Sequence, residues 1–302
     1  MRKLLAGSRG SKLALIQTKQ VIDLLDCEVD IKKISTRGDK ISDVALTSIK
    51  GKGFFTREID EALLAGEIDL AVHSLKDLPT DFPEGIVLGA IPQRETANDA
   101  IVGPYNSLES IPKNAVIGTS SIRRKAEILR HRSDLQVKDL RGNLDTRINK
   151  LNRGDYDAII VSEAGLLRLG YSEYSPLSAN YFIPAVCQGA LGITVRSDDK
   201  SLLNYLSKIE DLPTKVACEA ERAYLSTIGA GCQIPAGAHS NLDVITKKYK
   251  IHGFISSLDG QKFIESEKEC HVNEAKKCAV ELAKDLLASG DKIILKSLNE
   301  CG

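Results

Sequence analysis

The stretch Gly118-Thr119-Ser120-Ser121-Ile122-Arg123-Arg124-Lys125 follows Val116-Ile117, a dipeptide with the character of a strand end. Apolar residues recur at helical spacing after the hydroxyl residues, so the stretch predicts a strand, a tight turn and a helix. Such a turn presents free backbone N–H groups at the positive end of the helix, where an anion is favoured. The stretch therefore predicts an α/β unit with an anion site at the start of a helix.

Charge in residues 118–153 supports this interpretation. These 36 residues contain ten Lys or Arg and four Asp or Glu, a net charge of +6, whereas the whole chain has 41 of each kind. A solvated helix face is the preferred interpretation for Arg130, Arg132 and Arg153. At a turn–helix junction, by contrast, a guanidinium can bind a carboxylate or phosphate through two hydrogen bonds. The arginines at such junctions are Arg123, Arg124, Arg141 and Arg147.

Composition limits the class of protein. The chain is 42% hydrophobic and 27% charged, which is ordinary for a globular protein. It has no apolar run of membrane-spanning length, and residues 1–9 are a poor signal peptide, so we expect a cytoplasmic protein. Seven cysteines without a Cys-x-x-Cys pair and five scattered histidines predict reduced thiols and no metal site. Zero net charge and the lack of aromatic residues in the basic stretch disfavour nucleic acid, so the anion is expected to be small.

Two parts of the chain are alike. Residues 66–74 and 154–162 each predict a helix end, a turn, a buried strand and a terminal serine, and the loops 7–11 and 118–121 are also similar. Alternating strands and helices predict two α/β domains with mainly parallel sheets, which bind ligands at the carboxyl ends of their strands. We expect a ligand site in the crevice between the two domains.

The C-terminal third has a different pattern. A helical segment is followed by a glycine-rich loop, a hairpin signal at Asp259-Gly260 and a final amphipathic helix, which together predict a small α+β domain. The predicted domains are residues 1–93 with 188–209, residues 94–187, and residues 210–302.

Three residues are candidates for chemistry. Lys76 and Asp77 follow a buried strand, and their predicted place at the crevice favours a role beyond an exposed ion pair. A carboxylate among cations stays ionised, so Asp77 could stabilise a substrate cation or transfer a proton. Cys232 lies in the glycine-rich loop and is a candidate for covalent attachment. For His73, a structural role at a strand end is at least as plausible as a catalytic one.

Taken together and in order, the motifs of this chain resemble those of the porphobilinogen deaminase family, also called hydroxymethylbilane synthase. The matching segments are residues 8–11, 36–39, 51–55, 73–79, 118–124, 140–143, 165–170, 188–192, 220–222 and 231–235. They extend over nearly the whole chain. The resemblance implies two type II periplasmic-binding-protein-like domains and a small C-terminal α+β domain with a cofactor cysteine.

The same resemblance implies a transferase of tetrapyrrole (haem) biosynthesis. It would join four porphobilinogen molecules head to tail, release ammonia, and hydrolyse the product to hydroxymethylbilane. A dipyrromethane cofactor would be held by a thioether at Cys232, in a cytoplasmic monomer without nucleic-acid or membrane partners. Asp77 matches the catalytic carboxylate, which would hydrogen-bond pyrrole N–H groups and stabilise the azafulvenium cation.

Further site residues are implied only by this resemblance, because the pyrrole rings carry acetate and propionate groups. The implied cofactor-binding residues are Asp39, Ser74, Lys76, Thr119, Ser121, Arg123, Arg124, Thr146 and Gly189. The implied substrate-binding residues are Arg9, Ser11, Arg141, Arg147, Arg168 and Gln188.

Two alternatives and two departures from the family pattern stay open at this point. A non-catalytic two-lobed receptor for small anions fits the fold, although Asp77 together with Cys232 argues against it. A nucleic-acid-binding regulator is a weaker alternative, since no DNA-binding helix pair is recognisable.

The first departure from the family pattern is in a loop: Ser48 stands where the family commonly has Lys, and Lys50 stands at a usual Gly position. We hypothesise that residues 40–53 form a lid in which Lys50 replaces that Lys; a merely solvated Lys50 is equally plausible. The second departure is Cys187, which stands where the family has a small residue before Gln188-Gly189.

Overall fold

The computed structural model describes residues 2–36, 56–229 and 235–290. The strands are β1 (Leu4–Arg9), β2 (Val29–Ile34), β3 (Leu70–Ser74), β4 (Ile86–Ala90), β5 (Asp99–Val102), β6 (Val116–Gly118), β7 (Gln136–Lys138), β8 (Ala158–Ser162), β9 (Ser175–Leu177), β10 (Leu191–Arg196), β11 (Ala236–Asp243), β12 (Lys248–Ser256) and β13 (Phe263–His271). The α-helices are α1 (Lys12–Ile22), α2 (Arg57–Leu64), α3 (Ile122–His131), α4 (Leu144–Asn152), α5 (Glu163–Leu169), α6 (Lys200–Leu206), α7 (Leu212–Ile228) and α8 (Ala275–Ser289). Asp39, Ser48, Lys50, Cys232 and the hypothesised lid lie outside the described residues.

By compactness the chain divides into two units. Unit 1 is Met1–Glu95 with Gly189–Lys215, and unit 2 is Thr96–Gln188 with Val216–Gly302. Unit 2 thus includes the second predicted domain and most of the third, and the division into three domains stays a prediction. No helix in the part of the chain that the structure describes is long and apolar enough to cross a membrane.

Unit 1 contains a five-stranded sheet in the order β2-β1-β3-β10-β4. β1 is parallel to β2 and β3, whereas β10 is antiparallel to both of its neighbours. Alternate residues of β3 face opposite sides, so Leu70 packs with α1 and α6 while Ala71 packs with α2. Burial on both faces explains why the first three residues of β3, Leu70, Ala71 and Val72, are all apolar.

The sheet in unit 2 repeats this plan in the order β7-β6-β8-β5-β9. β6, β7 and β8 are parallel, and β5 is antiparallel to β8 and β9. Ile160 packs with α3, and Ile159 packs with α4 and α5 on the opposite face. In each sheet four strands run one way and one runs against them. The predicted α/β fold with two mainly parallel sheets is confirmed.

A third sheet, β11-β12-β13, is antiparallel and also belongs to unit 2. The turn between β12 and β13 contains Gly260, whose φ of 71° suits glycine and whose absent Cβ would lie 2.3 Å from the Ala126 carbonyl oxygen of α3. α8 buries one face, consisting of Ala275, Cys278, Ala279, Leu282, Ala283 and Leu286, as its apolar spacing predicts. The small C-terminal α+β region is therefore confirmed.

A buried carboxylate joins α7 to two other segments of unit 2. Glu221 is fully buried, and its Oε2 accepts a hydrogen bond from the Cys187 backbone N–H at 2.6 Å. Its Oε1 accepts from the Ser240 backbone N–H at 3.0 Å and the Ser240 hydroxyl at 2.9 Å. Cys187 itself has a φ of 60°, the left-handed region that favours glycine. Glu221 thus satisfies the backbone at an unusual turn and in β11 at once.

We expect Glu221→Gln to lower the free energy of unfolding by about 1–3 kcal/mol, because an amide has one acceptor oxygen for the two backbone donors. Glu219→Gln, on the exposed side of the same helix, should change it by less than about 0.5 kcal/mol. Urea unfolding monitored by circular dichroism measures both. Equal midpoints for the two variants would contradict this role of Glu221.

Candidate active site

The loop after β6 caps α3 through its hydroxyl groups. The Ser121 Oγ accepts a hydrogen bond from the Arg124 backbone N–H at 3.4 Å, and the Thr119 Oγ1 accepts from the Ser121 N–H at 3.2 Å. Ser120 donates its hydroxyl hydrogen to the Leu140 carbonyl oxygen at 2.6 Å. The predicted strand, turn and helix are all present, and the first turn of α3 is held in place for the two arginines that follow.

Arg123 and Arg124 are buried side chains with a common partner, Asp99. Arg123 donates from Nη2 to Asp99 Oδ2 at 2.7 Å and from Nη1 to the Ile183 carbonyl oxygen at 2.8 Å. Arg124 donates from Nε to Asp99 Oδ1 at 2.9 Å, and its Nη2 lies 2.7 Å from the same oxygen as an ion pair. The Gln188 amide joins the same group, with Nε2 2.9 Å from Asp99 Oδ1 and Oε1 3.3 Å from Arg124 Nη2. We call these four residues the arginine cluster.

The charges of this region are set by burial and by neighbouring groups. Burial disfavours ionisation of Asp99, but the adjacent Arg123 and Arg124 guanidiniums and the Gln188 amide outweigh it and lower the pKa of this carboxyl. Burial raises the pKa of Glu127, the other buried carboxyl group on α3. The four residues of the arginine cluster hold two guanidinium cations and one carboxylate, a formal charge of +1, and Glu127 lies outside the cluster.

Two buried polar atoms on α3 have no hydrogen-bond partner among the described residues. They are Arg123 Nε and Glu127 Oε2. A buried donor without a partner costs free energy, so Arg123 Nε is a donor that an anionic oxygen would satisfy.

The other predicted basic residues of unit 2 are more accessible. Arg141, Arg147 and Arg168 are partly exposed, and Thr146 is exposed on the first turn of α4. Arg147 Nε donates to the Gly142 carbonyl oxygen at 2.8 Å, whereas Arg141 lies 3.9 Å from the carboxylate of the largely exposed Asp139. These guanidiniums are thus less enclosed than those of Arg123 and Arg124.

Unit 1 brings its predicted residues to the carboxyl edge of its own sheet. β1 and β3 are parallel neighbours that end at Arg9 and Ser74. Ser74 accepts a hydrogen bond from Gln17 of α1 at 2.9 Å. Lys76 and Asp77 follow at once in a 3₁₀ turn (Leu75–Asp77), where Asp77 is exposed.

Two further residues of the predicted site, Ser11 and Gly189, act on the backbone: one caps a helix and the other has a positive φ. Ser11 caps α1 by accepting from the Ala14 N–H at 3.3 Å, the counterpart of Ser121 in unit 2. Gly189 begins the return of the chain to unit 1 with a φ of 87°. The loops 7–11 and 118–121, which are similar in sequence, are therefore also similar in how they cap the helix that follows.

His73 is a buried, neutral residue. Its Nε2 lies 3.2 Å from the Thr194 Oγ1, and its imidazole is only 6% exposed. Burial, together with the charge of Arg9, lowers the pKa of His73 to about 4. These contacts favour the structural interpretation of His73 over the catalytic one.

Two arginines that the sequence suggests are merely solvated have specific structural contacts. The Arg130 guanidinium lies 3.7 Å from the centre of the Phe263 ring and donates to the Glu265 carboxylate at 3.1 Å. Arg132 binds the Asp134 carboxylate at 2.7 Å and carbonyl oxygens of the preceding loop. The solvated interpretation is therefore wrong for Arg130 and Arg132, because distant segments fold against them, whereas Arg153 is exposed as expected.

Asp99 is the residue that sequence reasoning missed. The one available signal was a charged residue at the start of an otherwise apolar segment, Asp99-Ala100-Ile101-Val102. A carboxylate in a strand buried on both faces needs a cationic partner, but nothing in the sequence identifies that partner.

Comparison with known proteins places this architecture in a class of cofactor-dependent enzymes. Residues 4–204 match the family model "Porphobilinogen deaminase, dipyromethane cofactor binding domain". Residues 215–288 match "Porphobilinogen deaminase, C-terminal domain". The first match defines a domain that binds a dipyrromethane cofactor.

Relatives match over almost the entire chain. A porphobilinogen deaminase of Maridesulfovibrio salexigens is 45% identical over 303 residues, which are 98% of each chain. One of Prochlorococcus marinus is 43% identical over 310 residues, covering 99% of this chain and 97% of the relative. The chain therefore belongs to the porphobilinogen deaminase family. This membership makes it a transferase and favours the enzyme over the non-catalytic anion receptor.

The pKa of His73 predicts a pH dependence of stability. The unfolded imidazole has a pKa near 6.5 and the folded one about 4, so between these values only the unfolded state binds the proton. Stability should fall as pH decreases through this range, by up to about 3 kcal/mol from this group. His73→Gln should reduce the fall in unfolding free energy between pH 6.5 and 4.5.

Denaturant unfolding at several pH values measures the effect. His271→Gln, at an exposed position, serves as control and should keep the wild-type slope. A His73→Gln protein with the same slope as wild type would show that His73 is not the group responsible.

Proposed function

We propose that this protein is a hydroxymethylbilane synthase, a cytoplasmic monomer that does not act on nucleic acid. It joins four porphobilinogen molecules head to tail, releases ammonia at each addition, and hydrolyses the product to hydroxymethylbilane. The observation that carries the proposal is the pair of buried arginines at the start of α3, within a chain that matches the cofactor-binding domain over residues 4–204.

The arginine cluster suits a carboxylate-bearing cofactor. The cluster has one net positive charge, and Arg123 Nε is a buried donor without a partner among the described residues. Dipyrromethane, when bound, supplies the pyrrole end to which substrate is joined. In the proposal Arg123 and Arg124 bind its carboxylates through charged hydrogen bonds, and Cys232 anchors it through a thioether.

The proposal assigns further cofactor contacts to residues that the family resemblance implies. In unit 2, Thr119 and Ser121 lie in the capped loop before α3, and Thr146 lies on the first turn of α4. The other residues assigned to the cofactor are Asp39, Ser74, Lys76 and Gly189. Their hydroxyl, ammonium and backbone groups are suited to hydrogen bonds with acidic pyrrole substituents.

Asp77 is the proposed catalytic residue. Its carboxylate is exposed on a turn directly after β3. Loss of ammonia from porphobilinogen leaves a cation, and a fixed carboxylate beside the pyrrole N–H groups would stabilise that cation more than the neutral substrate. The same group can take up or deliver a proton. The idea that Asp77 and the arginine cluster serve one ligand rests on the family resemblance.

Substrate carboxylates are assigned to a more accessible set of residues. Arg9 ends β1, Ser11 caps α1, and the guanidiniums of Arg141, Arg147 and Arg168 are partly exposed. Accessible cations suit a ligand that arrives and moves on, whereas the buried pair suits one that stays. Gln188 is also assigned to this set, although its side-chain amide is fully buried in the arginine cluster.

The covalent cofactor is tested by the intact mass of the denatured protein. We expect wild type to exceed the mass of its sequence by two linked pyrrole units, and Cys232→Ser to lack that excess. Cys27→Ser, at a half-buried position in unit 1, should keep it. An unmodified wild-type protein with full activity would contradict the proposal.

The role of Asp77 is tested by a substitution that keeps its shape. Asp77→Asn should fold and carry the cofactor but turn over porphobilinogen about 10²- to 10⁴-fold more slowly, because a positioned acid or base is lost. Asp81→Asn, at an exposed position four residues later, should keep normal turnover. Steady-state rates of cofactor-loaded proteins measure the difference, and a rate for Asp77→Asn within threefold of wild type would exclude the role.

A further inference from the structure

The position of Asp99 in the fold is unusual for a buried acid. It is the first residue of β5, it is fully buried, and its backbone pairs with Ser162 at the carboxyl end of β8. It therefore lies at the ligand-binding edge of the unit 2 sheet, the edge from which the loop before α3 also emerges.

The two oxygens of Asp99 hold different arginines. Oδ2 accepts from Arg123 at 2.7 Å, while Oδ1 accepts from Arg124 Nε at 2.9 Å and lies 2.7 Å from Arg124 Nη2 as an ion pair. Gln188 bridges Asp99 Oδ1 and Arg124 Nη2, and its Nε2 also donates to the Ala97 carbonyl oxygen at 2.8 Å. A carboxylate on a central strand thus fixes both guanidiniums at once.

This arrangement has a functional consequence, because arginine side chains are flexible. An unrestrained arginine loses rotamer freedom when it binds a ligand, which weakens binding. Asp99 removes that freedom in advance and still leaves the cluster with one positive charge and an unused buried Arg123 Nε donor. A neutral residue at position 99 would leave two buried cations that repel each other.

We propose that Asp99 is a positioning residue that orients Arg123 and Arg124 to receive a pyrrole carboxylate, with Gln188 supporting Arg124. The identity of the ligand, a pyrrole carboxylate, rests on the proposed function of the protein. Asp99 acts through the two arginines and needs no contact with the ligand itself.

The chain contains a matched control. Asp69 is a buried aspartate in unit 1 that also bonds an arginine, with Oδ1 2.6 Å from Arg2 Nη2 and 3.7 Å from Arg196 Nη2. It precedes β3 and therefore lies at the opposite, amino end of its parallel strands. Asp69→Asn removes a buried carboxylate charge, paired with the largely exposed Arg2, away from the ligand-binding edge.

The experiment compares Asp99→Asn with Asp69→Asn in the full-length protein. Intact mass reports the fraction with covalently bound pyrroles, steady-state kinetics report KM and kcat for porphobilinogen, and peptide mapping after phenylglyoxal reports the reactivity of Arg123 and Arg124. We expect most of the Asp99→Asn protein to have the mass of its sequence without pyrroles, or its cofactor-loaded fraction to have an at least tenfold higher KM. In either case phenylglyoxal should modify both Arg123 and Arg124. Asp69→Asn should match wild type in all three.

Each outcome decides the proposal. A folded Asp99→Asn protein with normal mass, KM within twofold of wild type and protected arginines overturns it. If Asp99→Asn does not fold, Gln188→Met replaces it, and should expose Arg124 to phenylglyoxal and raise KM about two- to fivefold; wild-type values there overturn the proposal. If wild type neither carries pyrroles nor consumes porphobilinogen, the proposed function fails, while the phenylglyoxal map still decides whether Asp99 positions the arginines.

Discussion

In unit 2 one buried carboxylate, Asp99, pairs with the buried guanidiniums of Arg123 and Arg124, and this pairing constrains the segments that carry them. A charge removed from water is tolerated only if partners and hydrogen bonds replace the lost hydration. Asp99, Arg123 and Arg124 meet this condition only when β5, the start of α3 and the segment with Gln188 are all in register. The same contacts that stabilise the unit therefore set the position of the donors that an anionic ligand would meet.

A repeated topology explains why these segments converge. Each α/β sheet has a core of three parallel strands, and its one antiparallel strand is the first to follow a crossing of the chain from the other unit, β5 in one sheet and β10 in the other. Such a strand starts at the edge where its neighbours end. Asp99 at the start of β5 consequently lies beside Ser162 at the end of β8, just as Leu191 lies beside Ser74.

The two edges of the sheets serve different purposes. In unit 1 the amino edge has Asp69 bonded to Arg2, an arrangement that joins the N-terminal segment to the sheet. The carboxyl edge has Arg9, Ser74, Lys76 and Asp77, and the neutral His73 beside Ser74 is buried against Thr194. Burial keeps His73 uncharged, so it adds no cation beside Arg9 at neutral pH. Structural ion pairs and candidate chemistry are thus separated along the same strands.

The local elements, the duplicated α/β plan, the C-terminal hairpin and helix, and the family could all be predicted from the sequence. These features depend on residues near one another in the chain: apolar periodicity, capping serines, and glycine at a turn such as Gly260. The sequence also pointed to Arg123 and Arg124 as unusual. The partners of those arginines became visible only in the folded chain, because Asp99 is 24 residues from Arg123 and 25 from Arg124, and Gln188 is 64 residues from Arg124. The structural roles of Arg130, Glu221 and His73 were decided in the same way. Pairing of buried polar groups depends on which strands and helices become neighbours, and a single sequence does not reveal that choice for charges far apart along the chain.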